Sequence, residues 1–306
     1  MARAYDPDHF IEPPEISEED QRKAQGPPHP PPSRGPAQGE RAQPAGHAPD
    51  ARRDRSTESR KVYEVRGRIY RLRSSEIETM AEVGKFRTIA VEDLREFVYG
   101  GDKDSLRLAL ENLIRQGLLQ RKSVPHQEKG SRQLLALTKN GHGLLKEAQI
   151  TQKDQTLYHG FKKPREAHHD ADLYRIYQKA AEKIERAGGR NLRVILDHEL
   201  MKGVYHDLAK LGPDRTSPAS KRTVAERHDL AVVRDKIPLP DVRIEYETSD
   251  GERARVDIEL ATSHYRFRNL AEKVRAGFSI YARPSEVSNL RRILDQRELT
   301  AEILSL

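Results

Sequence analysis

Asp241, Asp257, Glu259 and Lys273 are the side chains whose types and spacing bear most directly on chemistry. Asp241 follows Pro240 at the opening of an apolar, β-favouring stretch, and Asp257 and Glu259 lie two apart on the next such stretch. Residues two apart on a strand share one face, and a neighbouring strand brings Asp241 beside that pair. Carboxylates clustered on a sheet hold Mg²⁺, which takes oxygen ligands and keeps several waters. Asp241 and Asp257 are the candidate ligands. A metal so held activates water and stabilises charge on a phosphodiester.

A second set is basic. Between Asp102 and Gly117, Leu106, Ala109, Leu110, Leu113 and Ile114 recur at helical spacing, which marks a buried face. Away from it lie Lys103, Ser105, Arg107 and Leu108 near the start, with Asn112 and Arg115 further along. Arginine matches guanine and asparagine matches adenine in the major groove, so Arg107 and Asn112 are candidate base readers. Lys129 and Arg132, in the polar stretch that follows, are candidate phosphate contacts. Asp104 and Glu111 share the face and repel phosphate, so a face that binds protein is the alternative. His168, His169 and Asp170 read as a helix N-cap by Asp170 with exposed histidines. Asp197-His198-Glu199 likewise carries no metal spacing, and there is no Gly-rich phosphate loop.

The elements that must position these residues follow from periodicity and punctuation. Ser75–Phe86 reads as a helix opened by a Ser75/Glu78 capping box. Val91–Val98 is a short second helix, Asp102 caps the third, and Gly117 ends it. Strands are expected at Leu118–Val124 and Gln133–Leu137 around a polar loop, with Thr138 capping a last helix. Further on, the pattern gives a helix at Ala171–Ala187, a strand at Asn191–Leu196 and a helix at Glu199–Leu211. Gly212, Pro213 and Pro218 interrupt any period, so residues near 211–228 read as a mobile loop. Pro240–Thr248 and Ala254–Ala261 form a hairpin across Ser249-Asp250-Gly251-Glu252. A helix over Arg266–Tyr281, a helix around Leu290 and Leu294, and a closing strand at Thr300–Leu306 complete the chain.

Charge follows this division. Residues 1–60 carry a net −2 with eleven prolines and read as a disordered tail. Residues 61–150 carry +5 and the remainder +4, within a total of +7. A basic folded region attracts polyanions. With no cysteine there is no disulfide framework or thiolate metal site. The polar start and the lack of a long apolar run predict a cytoplasmic chain with no membrane span.

The order helix, helix, helix, strand, loop, strand, helix over Lys61–Ile150 resembles a winged helix-turn-helix. The stretches ENLIRQGLLQRK and LLALTKNGHGLL are especially similar to winged-helix regulators. In that family the third helix enters the major groove and the wing touches the backbone. Pro240-Asp241, then VDIELAT at 256–262, then Lys273 and Tyr281, resemble the replication-relaxation family of plasmids and mobile elements, as does HHDADLYRIYQKA from His168. That resemblance implies an α+β chain: a winged helix at 61–150 and an α/β domain like PD-(D/E)xK nucleases at 165–306. It also implies duplex DNA, and a replication or transfer protein, as partners; a second copy of the chain is left open. An active site of that kind has lysine where Glu259 stands. Lys273 is the available substitute, and the site is expected to be catalytically silent. The rival readings are a Mg²⁺-dependent DNA endonuclease using these four residues and a winged-helix transcriptional regulator.

Overall fold

The computed structural model describes residues 58–126, 130–152, 154–161, 164–262, 267–295 and 302–305. The proline-rich tail lies outside them up to residue 57. The described chain opens with a hairpin that the sequence pattern did not reveal. β1 (Lys61–Val65) and β2 (Arg68–Leu72) pair antiparallel about Arg66-Gly67, both at positive φ, as a two-residue primed turn requires.

α1 (Ser74–Lys85) follows, capped at Arg73, two residues earlier than Ser75/Glu78 would place it. Glu76 accepts from the Arg73 N–H at 2.8 Å and Glu58 from the Ser75 N–H at 3.0 Å. After β3 (Ile89–Ala90) and α2 (Val91–Phe97), α3 (Lys103–Arg115) starts where Asp102 accepts from the Asp104 and Ser105 N–H groups. It ends at Gly117, with φ of 68° and the Leu118 N–H donating to the Leu113 carbonyl. β4 (Leu119–His126) and β5 (Gly130–Leu137) form a long hairpin, and β3 pairs with the other edge of β5. Thr138 caps α4 (Lys139–Glu147), accepting from the Gly141 N–H.

The rest is built on α5 (Pro164–Arg186), β6 (Arg190–Leu196), α6 (Asp197–Lys210), α7 (Pro218–Arg227), β7 (Val242–Glu247) and β8 (Arg253–Ala261). α8 (Phe267–Arg275), β9 (Ser279–Ala282), α9 (Pro284–Asp295) and β10 (Ile303–Ser305) complete it. These strands make one sheet in the order β10-β9-β8-β7-β6. β6, β7 and β8 run antiparallel, whereas β8, β9 and β10 run parallel.

Two sequence expectations are corrected. The stretch read as a mobile loop is helical: a 3-10 turn at Gly212–Thr216 leads into α7. Ser217 accepts from the Ser220 N–H, Pro218 occupies the first turn, where a missing N–H costs nothing, and Val224 and Ala225 are buried. The helix read over Arg266–Tyr281 stops at Arg275. Gly277, at φ of 83°, releases the chain into β9, where Ile280 and Tyr281 are buried in the sheet.

The architecture is α+β. The main hydrophobic core draws on both predicted domains, from Val65 and Leu113 to Tyr174, Ile244 and Tyr281. The described residues from 58 onward form one compact unit. α5 is the central element. Ala167 and Ala171 pack against Ala90, Val124 and Leu134 of the first sheet, and Tyr174 meets Phe86 edge-on at 5.2 Å. No helix among the described residues is long and apolar enough to cross a membrane.

Candidate functional site

α3 sorts its side chains into three sets. Leu106, Ala109, Leu110 and Leu113 are buried, as the spacing requires. Ser105 and Asn112 are buried as well, so neither is available to a base. Asn112 is 5 % exposed and donates to Glu76 Oε1 at 2.9 Å. It thereby ties α3 to the capped start of α1. A signal was present: Ser105, Ala109 and Asn112 stand at i, i+4 and i+7, which widens the inward stripe.

Arg132 is the larger correction. It is 3 % exposed rather than a wing-tip phosphate contact, and donates to Asp172 on α5 at 2.8 Å and Asp93 on α2 at 3.0 Å. Strand alternation places Arg132 on the face of Leu134, and α5 covers that face. Lys129 lies outside the described residues.

The third set is exposed: Lys103, Arg107 and Arg115. Arg107 remains 54 % exposed, paired with Glu111 at 3.0 Å and Asp104 at 3.7 Å. Surface pairs of this kind are worth about 0–1 kcal/mol, so phosphate exchanges with them readily. Two cations that the sequence reading did not name join the set. Arg95 on α2 and Arg121 on β4 share with it a groove of about 810 Å³, floored by Leu106, Leu110 and Ile114.

The carboxylates on the larger sheet are arranged differently from a metal site. Arg243 and Asp257 are opposed across β7 and β8, and the guanidinium binds both Asp257 oxygens, at 2.7 and 2.9 Å. Arg243 also donates to the carbonyls of His228 at 2.7 Å and Asp229 at 3.0 Å, fastening the end of α7 to the sheet. Glu259 is fully buried, and Lys273 reaches in from α8 to 2.9 Å of its carboxylate and 2.6 Å of the Leu239 carbonyl. Asp241 accepts from the Leu260 N–H at 2.8 Å and lies 3.4 Å from Nε2 of His169.

Asp241, Asp257 and Glu259 therefore face His169, Arg243 and Lys273 respectively. A Mg²⁺ site needs oxygen ligands left open to the ion, and Asp257 offers none. Among the described residues no group of three or more His, Asp or Glu side chains is arranged to hold a metal. The set does not fit Mg²⁺. Asp170 is also reassigned: it sits inside α5, buried, and accepts from Arg87 at 2.8 Å instead of capping the helix.

Burial opposes protonation of His169, but the hydrogen bond and charge of Asp241, with Asp170 and Glu259 behind it, outweigh burial and raise its pKa. A raised histidine pKa stabilises the fold fully below the unfolded value of about 6.5, and the gain disappears as pH rises through the folded value. His169→Gln should therefore destabilise the protein more at about pH 6 than at about pH 8 in denaturant melts. An equal penalty at both would show that the ion pair does not form.

No known family model matches the chain, and no curated protein matches it.

Proposed function

We propose that the chain is a duplex-DNA-binding protein that reads with α3, and that its larger sheet grips or scaffolds without cutting. Residues 61–150 act as a winged helix-turn-helix. Residues 165–306 are a PD-(D/E)xK-like domain whose acids have become structural ion pairs. The carrying observation is the exposed cation set on and around α3, Lys103, Arg107 and Arg115 with Arg95 and Arg121. Three helices followed by the β4–β5 hairpin support the first assignment. The order α5-β6-α6-α7-β7-β8-α8-β9, with an antiparallel triplet and a parallel fourth strand, supports the second. The role that follows is recruitment to a plasmid or mobile-element site during replication or transfer, as in the replication-relaxation proteins it resembles.

The test uses the full chain, because the two halves share a core. Gel shifts should show duplex binding that weakens steeply with salt. Arg107→Ala should cost about 1–3 kcal/mol of binding and relax base preference at one position. Undiminished binding when Lys103, Arg107 and Arg115 are all replaced by alanine would sink the assignment.

A further inference from the structure

The β1–β2 ribbon carries more positive charge than the fold pairs. Arg60, Lys61, Arg66, Arg68 and Arg71 are exposed on or beside it, against the single acid Glu64. Arg66 is held by Glu147 at 2.6 Å, and Arg60 lies 4.0 Å from Glu76. The side chains of Lys61, Arg68 and Arg71 make no ion pair among the described residues. The ribbon is also fixed in place. Its inner side buries Val65, Tyr70 and Leu72 in the main core.

Its outer edge is bonded to α3 itself. The Arg71 N–H donates to Gln116 Oε1 at 3.1 Å, and the Arg71 carbonyl accepts from Gln116 at 3.2 Å and Asn112 at 3.4 Å. Arg115, one of the exposed α3 cations, donates to the same Asn112 at 3.4 Å. The ribbon is thus joined to the last turn of the helix proposed to read DNA. A rigid arm of like charge beside a reading helix is suited to the sugar–phosphate backbone, which carries affinity and register but little sequence information.

We propose that the β1–β2 ribbon is a second phosphate-binding arm, in which Lys61, Arg68 and Arg71 extend the α3 footprint along duplex DNA. This rests on the DNA-binding reading of α3. It makes Asn112 and Gln116 positioning residues: they set the angle between arm and helix and do not touch a base.

The experiment measures duplex affinity of the full chain against salt for wild type, for the Lys61→Gln/Arg68→Gln/Arg71→Gln variant and for Arg68→Gln alone. Each phosphate contact adds about 0.9 to the slope of log K against log salt. The triple variant should flatten that slope by about 2.7 and the single variant by about 0.9, with base preference unchanged. An unchanged slope, with wild type binding normally and the variants melting as wild type does, overturns the arm and leaves the α3 reading standing. A wild-type chain that binds no duplex overturns the α3 reading first.

Discussion

Replacing Arg132 with alanine should destabilise the fold by about 3 kcal/mol while leaving duplex affinity per folded molecule unchanged. The guanidinium lies between Asp93, which is fully buried, and Asp172. Burial pushes the Asp93 pKa up against the pull of Arg175 and Arg132. Burial also acts on Asp172, but Arg132 and Arg283 overcome it and hold that carboxyl below its ordinary value. Each acid keeps one partner when Arg132 is lost, Arg175 and Arg283 respectively, so the penalty falls at the lower end for breaking a buried pair. Arg132→Met should also destabilise, because it preserves volume but not the charge. Denaturant melts decide it. An arginine that contacted phosphate from the surface would show the reverse, with stability within about 0.5 kcal/mol and a shallower salt slope.

Asp257→Ala should cost about 3–5 kcal/mol of stability and remove no Mg²⁺-dependent activity. Arg243 is 3 % exposed and would keep its two carbonyl partners while losing the counter-charge of Asp257. The tether from β7 to the end of α7 would loosen with it. The paired change Arg243→Met with Asp257→Leu should recover part of the loss, since it leaves no buried charge unpaired and costs only the donors to the His228 and Asp229 carbonyls. A nuclease site predicts the opposite pattern: Asp257→Ala folds as wild type does, and wild-type nicking of plasmid DNA in Mg²⁺ disappears. Lys273 beside Glu259 is the feature that keeps such a reading worth the assay.

What was legible in the sequence follows from the range of the forces involved. Local devices read correctly: Asp102 and Thr138 as caps, Gly117 as a helix stop, and the 249–252 turn with Gly251 at φ of 81°. Each depends on a few consecutive residues. The β1–β2 hairpin went unseen because Arg66-Gly67 is not a typical turn pair and the strands are five residues each. The helical reading runs past α8 because Phe278 and Tyr281 continue the spacing of Leu270 and Val274, and only the sheet decides that the chain leaves the helix and enters β9 at Ser279.

Partners distant in sequence were the least legible. Asp172 is 40 residues from Arg132, and a lysine or arginine reads the same in sequence whether it meets water, DNA or a buried acid. The alternation that turned Arg132 inward was visible, but the helix that covers it lies in what looked like a separate domain. The acids at 241, 257 and 259 were correctly placed at the start of β7 and along β8. Lys273 does reach Glu259 from the following helix, as its place in the motif suggests, but Arg243 and His169 do not belong to that motif, so nothing in it points to them.

Side-chain footprinting of the full chain, free and saturated with duplex, is the most direct check on α3. Arginine- and lysine-directed reagents should mark Lys103, Arg107 and Arg115 in the free protein and lose them in the complex. Arg132 and Arg243 should resist the reagents in both, being buried in their ion pairs. If Arg107 and Arg115 stay fully reactive in the saturated complex, and protection centres instead on Lys273, DNA binds across the larger sheet and α3 is not the reader.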